Sequence, residues 1–219
     1  MISATQRLGF WSAAICTLFS IVYVLVQLAE WQGWLGSSGG PESASTPLGL
    51  ALLLTPSLLL APAFLTLMIA VHQTVSPPRR VLSHAAIAFA TIYAALISIV
   101  YYVQLTLVAP RLARNDTEGM EVLVFTPFDS FFYSVDILGY SFMSLATLFA
   151  GFALRGKPAA RVARCCLIAN GMLLPFLALQ MYYHWMIYAA SLWAFTFPAS
   201  AALLAIMFQR GRLDPELVA

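Results

Sequence analysis

Six apolar runs, each long enough to cross a bilayer, leave this chain little choice of fold. They cover residues 9–30, 48–71, 84–108, 130–154, 165–182 and 186–208. A spanning helix needs about 20 consecutive apolar residues. Of the 219 residues, 61% are hydrophobic and 9% charged, where a soluble domain has about a quarter charged. The pattern predicts an all-α, polytopic membrane bundle of six transmembrane helices, with residues 1–219 forming a single transmembrane domain. A cleaved signal peptide is the rival for the first run, but the apolar region of such a peptide is usually about 7–15 residues, and this run is longer.

The basic residues test that division, because Lys and Arg collect in the inner loops of a multi-pass protein. With the amino end inside, nine of them fall on the inner side: Arg7, Arg79, Arg80, Arg155, Lys157, Arg161, Arg164, Arg210 and Arg212. Only Arg111 and Arg114 fall outside. The alternation predicts that both termini are cytoplasmic. The outer loops are residues 32–47, rich in Gly, Ser and Pro, and residues 110–129, which carry acids and end in the apolar segment 122–127. That segment is too short to span and is expected to lie at the interface or dip towards the bundle. Ala86, Ala90, Ala94 and Ser98 recur every four residues in the third run, a spacing of small residues that lets membrane helices approach closely. Pro56 and Pro62 stand inside the second run, where proline frees backbone carbonyls and favours a kink.

Within the fourth run stands one carboxylate, Asp136. An acidic side chain at that depth costs roughly 2.5–3.5 kcal/mol on insertion scales and marks a partner or a task. Other polar residues fall at a similar outer depth: Gln27 and Glu30, Tyr101 and Gln104, and Gln180 with His184. Helical spacing puts several of them on shared faces. Tyr133, Asp136, Tyr140, Ser144 and Thr147 form one stripe. Cys16, Ser20, Tyr23, Gln27 and Glu30 form a second, and Asn170, Leu173, Leu177, Gln180 and His184 a third. Such faces suit helices around a polar cavity. The candidate ligand-binding set is Asp136, Tyr133, Tyr140, Tyr101, Gln104, Gln180, His184 and Gln27, with Asp136 as the candidate catalytic residue should there be a reaction.

Plainer readings stand beside these. Tyr and Trp anchor helices at membrane interfaces, which accounts for Trp31, Trp34, Tyr182, Tyr183 and Trp185 without a function. Glu30 reads as a solvated helix end and His184 as an interfacial residue. Gln104 and Gln180 read as interhelical glue, worth on the order of 0.6 kcal/mol each. Cys16, Cys165 and Cys166 form no metal-binding spacing and read first as buried thiols, with an acylation or thiol site as the alternative for the vicinal Cys165-Cys166. No cofactor is expected. His72 and His84 flank an inner turn instead of facing across a bundle, as a bis-imidazole haem would require. Glu30, Asp136 and His184 lack a short metal-ligand spacing, so no metal is expected. Asn115-Asp-Thr117 matches a glycosylation acceptor, a pattern common by chance. The arginines form short turns, not a nucleic-acid-binding patch.

The chain resembles a group of six-helix bacterial integral membrane proteins. The resemblance is carried by Arg7-Leu-Gly9 opening the first run and by Gly139-Tyr-Ser-Phe-Met-Ser-Leu-Ala-Thr-Leu-Phe-Ala-Gly151 before a basic turn and another helix. It implies an inner-membrane location and brings no activity with it.

The residues point first to a binder or sensor of a small amphipathic or lipidic ligand, held in a polar and aromatic cavity that opens to the outer leaflet. The alternatives are a lipid or isoprenoid enzyme using Asp136 as acid or base, a proton-coupled small transporter, and an accessory membrane subunit. The bilayer is the one expected partner; the oligomeric state is not readable.

Overall fold

The computed structural model describes residues 3–126, 128–155, 158–211 and 213. Pro127, Lys157 and Arg212, used above to place a loop and two basic turns, lie outside the described residues.

All regular structure among the described residues is helical. Helix α1 spans Ala4–Trp31 and starts on a capping box, in which the Ser3 side chain accepts from the Gln6 N–H and the Gln6 side chain accepts from the Ser3 N–H. That reciprocal pairing satisfies two otherwise orphaned donors and lets the helix begin a turn before the apolar run. Helix α2, Pro47–His72, opens with Thr46 as its cap and Pro47 in its first turn, then runs on through Pro56 and Pro62. Helix α3, Arg80–Val103, continues through a π turn at Gln104–Val108 and a last α turn at Ala109–Ala113. Pro110 supplies the reason for the wider turn. It has no N–H and its ring pushes against the carbonyl four residues back, and the preceding Ala109 N–H bonds the Gln104 carbonyl five residues back.

Helix α4 is Phe131–Ala153, capped by Ser130, whose Oγ accepts from the Tyr133 N–H at 3.1 Å. Helix α5 is Pro158–Gly171. It starts earlier than the apolar run because proline is pre-organised for a first helical turn, so Arg161 and Arg164 sit on a helix and not in a turn. The chain then breaks at residues 172–173, ahead of the short helix α6, Leu174–Leu179, which carries Pro175 in its first turn. A 3-10 turn at His184–Met186 leads to α7, Ile187–Ala190, and then to α8, Trp193–Gln209, which runs through Pro198. Counting α5 with α6, and α7 with α8, as single crossings, six helical segments are long and apolar enough to span a membrane.

Each crossing packs on the next, and α8 closes on α1, so the six form a ring. No hydrophobic force draws helices together in lipid, so close van der Waals packing must do it. Ala86, Ala90 and Ala94 of α3 are buried, and on the facing helix a Cβ at Gly139 would lie 2.9 Å from the Ile97 side chain. The α3–α4 contact therefore depends on small residues from both sides.

The two ends of the ring differ. The end carrying Arg79, Arg80, Arg155 and Arg210 is filled from α2. Phe64, Leu67, Met68, Ala70 and Val71 are all buried, and the Phe64 ring meets Tyr93 and Phe197 edge-to-face with centroids 5.4 and 5.7 Å apart. The other end carries the loops 32–46 and 114–130, and Trp34, Tyr182, Tyr183 and Trp185 are exposed there, as in an interfacial aromatic belt. Inside that loop end the ring is hollow.

Candidate functional site

The hollow is a cavity of about 460 Å³, within the roughly 300–1,000 Å³ of small-molecule sites. Its lining comes from α1, the first turns of α2, α3 with the π turn and last turn that follow it, α4, Asn170 of α5, the α6–α8 region and residues of both loops at that end. Its walls are mostly apolar.

Asp136 stands on α4 between Tyr133 and Tyr140, and all three line the cavity. Asp136 is 8% exposed, and its Oδ1 has no hydrogen-bond partner among the described residues. Several nearby polar groups bond one another. The Tyr101 and Tyr140 hydroxyls bond each other at 2.8 Å. Tyr133 Oη donates to Gln180 Oε1 at 3.3 Å, tying α4 to the end of α6. Tyr23 Oη donates to Gln27 Oε1 at 3.3 Å along α1. Gln104 Nε2 donates to the Leu123 carbonyl, which draws the 122–126 segment inward. Phe125 of that segment packs edge-on to Tyr101 and Tyr133, with centroids 6.4 and 6.3 Å away. The apolar segment therefore dips towards the bundle and closes part of the cavity; Gln180 joins two helices as glue, whereas Gln104 ties α3 to a loop and not to another helix.

Asn170 ends the cavity on the inward side. Its Nδ2 donates to Thr147 Oγ1 at 3.1 Å, and its Oδ1 accepts from Thr196 Oγ1 at 2.9 Å, joining α4, α5 and α8. Trp193 adds an aromatic wall, 5.5 Å from the Tyr23 ring and 6.3 Å from that of Tyr140. On the rim, where α1 faces α7 and α8, Leu28, Tyr188 and Phe195 are 48%, 63% and 75% exposed. The cavity lining thus reaches the side of the ring at those elements.

Three expectations need correction. His184 does not line the cavity. The stripe that included it assumed a helix continuing to residue 182, but α6 stops at Leu179 and residues 180–183 turn away. His184 instead stacks on Phe128, ring centroids 4.8 Å apart and 18° between planes. The other seven candidate residues, Asp136, Tyr133, Tyr140, Tyr101, Gln104, Gln180 and Gln27, share the lining.

Glu30 is not a solvated helix end. It is 2% exposed, lines the same cavity, and neither carboxylate oxygen has a partner among the described residues. Its carboxylate occupies the space where a Cβ of residue 49 would stand, so Gly49 is what lets it in. The signal for Glu30 was present in its stripe, three residues beyond Gln27, and its place at the helix end argued against it. The exposed Cys165 departs from the reading of buried thiols. His72 and His84 have rings in contact, centroids 4.3 Å apart, with no gap for a group between them. Among the described residues, no three His, Cys, Asp or Glu gather as metal ligands would.

What the site can do follows from its inventory. It offers apolar walls, several aromatic faces, three glutamines and an asparagine already bonded, and two buried carboxylates with free oxygens. Set against family models, curated proteins and solved structures, the chain matches none of them.

Proposed function

We propose that the protein is a multi-pass protein of the bacterial inner membrane, both termini cytoplasmic, that holds a small amphipathic or lipidic ligand in this cavity. The orientation rests on the arginines gathered at the packed end of the ring. The binding reading rests above all on one observation: a buried carboxylate oxygen of Asp136 without a partner, on the wall of a 460 Å³ cavity. A buried polar group left unpaired costs roughly 1–3 kcal/mol, a cost a ligand relieves. A lining that reaches the side of the ring suits a molecule arriving from the lipid phase.

The test is to purify the protein in lipid nanodiscs, identify bound small molecules by native mass spectrometry, and follow thermal unfolding. Bound amphiphiles that raise the melting temperature in the wild type but not in Ser144→Trp, which fills the cavity, support the reading. A protein that carries nothing and melts identically with and without added lipid extract overturns it.

The enzyme reading gains one specific observation. Acid–base chemistry on a lipid benefits from two carboxylates in different environments, and Glu30 supplies a second beside the apolar cavity. Product formed from a lipid extract, and lost in Asp136→Asn, would favour catalysis over binding.

A further inference from the structure

Asp136 and Glu30 are the cavity's only ionisable acids, and no Lys, Arg or His lines it among the described residues. Both are more than nine-tenths buried, Asp136 with one free carboxylate oxygen and Glu30 with two. With those carboxylates ionised the chamber is electrostatically one-sided: it repels anions and draws in cations, and a bound cation in turn favours the ionised form. The walls reinforce that sign. Tyr101, Tyr133, Tyr140 and Trp193 surround the Asp136 level, and aromatic faces attract cations, more strongly when desolvated. The cavity's tyrosine and glutamine side chains bond one another at Tyr101–Tyr140 and Tyr133–Gln180 and bring no positive charge to Asp136. A small metal ion is disfavoured by the absence of a third His, Cys, Asp or Glu ligand among the described residues and by the aromatic lining.

We infer that the cavity selects an amphipathic organic cation, a molecule with an amine or quaternary ammonium head on an apolar body. The inference rests on the binding reading and names the class of its ligand. The head lies against Asp136 within the aromatic walls. Glu30, nearer the loop end, adds to the attraction along the approach. The apolar body follows the remaining wall towards the rim at α1 and α8.

The experiment compares three probes of matched chain length, dodecyltrimethylammonium, dodecanol and dodecanoate, added below micelle-forming concentrations to protein in zwitterionic nanodiscs. Intrinsic tryptophan fluorescence, to which the cavity's Trp31 and Trp193 contribute, and the melting temperature report binding, and empty nanodiscs correct for partitioning. The ammonium probe is expected to bind at least about tenfold more tightly than the alcohol, because opposite charges pair in a desolvated site, and dodecanoate most weakly. Asp136→Asn should remove that preference. Glu30→Gln should reduce the preference by a smaller factor, and serves as the second test should Asp136→Asn misfold. Equal binding of all three probes, or a preference unchanged in both variants, overturns the cation inference and leaves the binding reading standing. Stabilisation by Ca²⁺ or Mg²⁺ without any by the ammonium probe overturns it in favour of a metal. Binding of none of the three overturns both.

Discussion

The two ends of this helical ring are built from the same kind of residue and do opposite things with it. At the arginine end, α2 fills the axis, and Phe64, Tyr93 and Phe197 interlock there, each at most 1% exposed. At the loop end the axis is empty, and the aromatic residues Tyr101, Tyr133, Tyr140 and Trp193 line a space they do not fill. The contrast separates two tasks. In lipid, where apolar side chains gain nothing by leaving their surroundings, packing density is what holds helices together. The dense end supplies that cohesion. The hollow end forgoes contacts and keeps two carboxylates unpaired, the kind of local instability that functional sites carry at the expense of stability.

The largest effect should come from the dense end. Phe64→Ala removes a fully buried ring from the meeting point of α2, α3 and α8, at a cost of about 3–5 kcal/mol by analogy with buried aromatic truncations. Ile137→Ala, on the cavity wall, should cost clearly less, because the space beside it is already empty. Equilibrium unfolding in mixed micelles would compare them, and equal losses would break the distinction between the two ends.

A change of opposite sign is expected at Asp136. Asp136→Leu replaces an unpaired polar group by an apolar one of similar size and should stabilise the ligand-free protein by about 1–3 kcal/mol. A loss of stability instead would mean that the carboxylate is a structural tie.

The smallest effect concerns the cover of the hollow end. Arg111 and Asp116 form a bidentate pair, Nε to Oδ2 and Nη2 to Oδ1 both at 2.9 Å, that fastens the start of the 114–126 loop. The hydrogen bond from Arg111 holds the Asp116 carboxyl below its usual range. A carboxylate with a depressed folded-state pKa contributes stability above its unfolded value of about 3.9. The contribution is lost as pH falls through the lower folded value. Limited proteolysis of the loop should therefore quicken below about pH 4 in the wild type, and should already be quick at neutral pH in Asp116→Asn. The arginine end, which has no such ion pair among the described residues, should show no matching change.

The fold was legible to the extent that it follows from composition along the chain. Six apolar runs and their polar punctuation gave six spanning segments because a helix crossing lipid must be long and must satisfy its own backbone. The α4 stripe of Tyr133, Asp136, Tyr140, Ser144 and Thr147 was legible for a related reason: a continuous helix repeats its faces with a known period. His184 was misplaced where that continuity failed, since a break at residues 172–173 and an end at Leu179 reset the period. Glu30 was misjudged because its fate depends on Gly49, nineteen residues away, which leaves room for its carboxylate. Its own position, at the end of an apolar run, pointed to water.

What the sequence by itself determined, then, is the number of helical segments long and apolar enough to span a membrane, their order and the rarity of charge within them, all of which are local consequences of hydropathy and helical geometry. What only the tertiary structure decided is that the ring closes α8 on α1, that α2 fills one end and not the other, and that Glu30 joins Asp136 on a shared wall. Those outcomes depend on which side chains from distant segments fit into the same space, and steric fit between segments leaves no periodic mark in the chain.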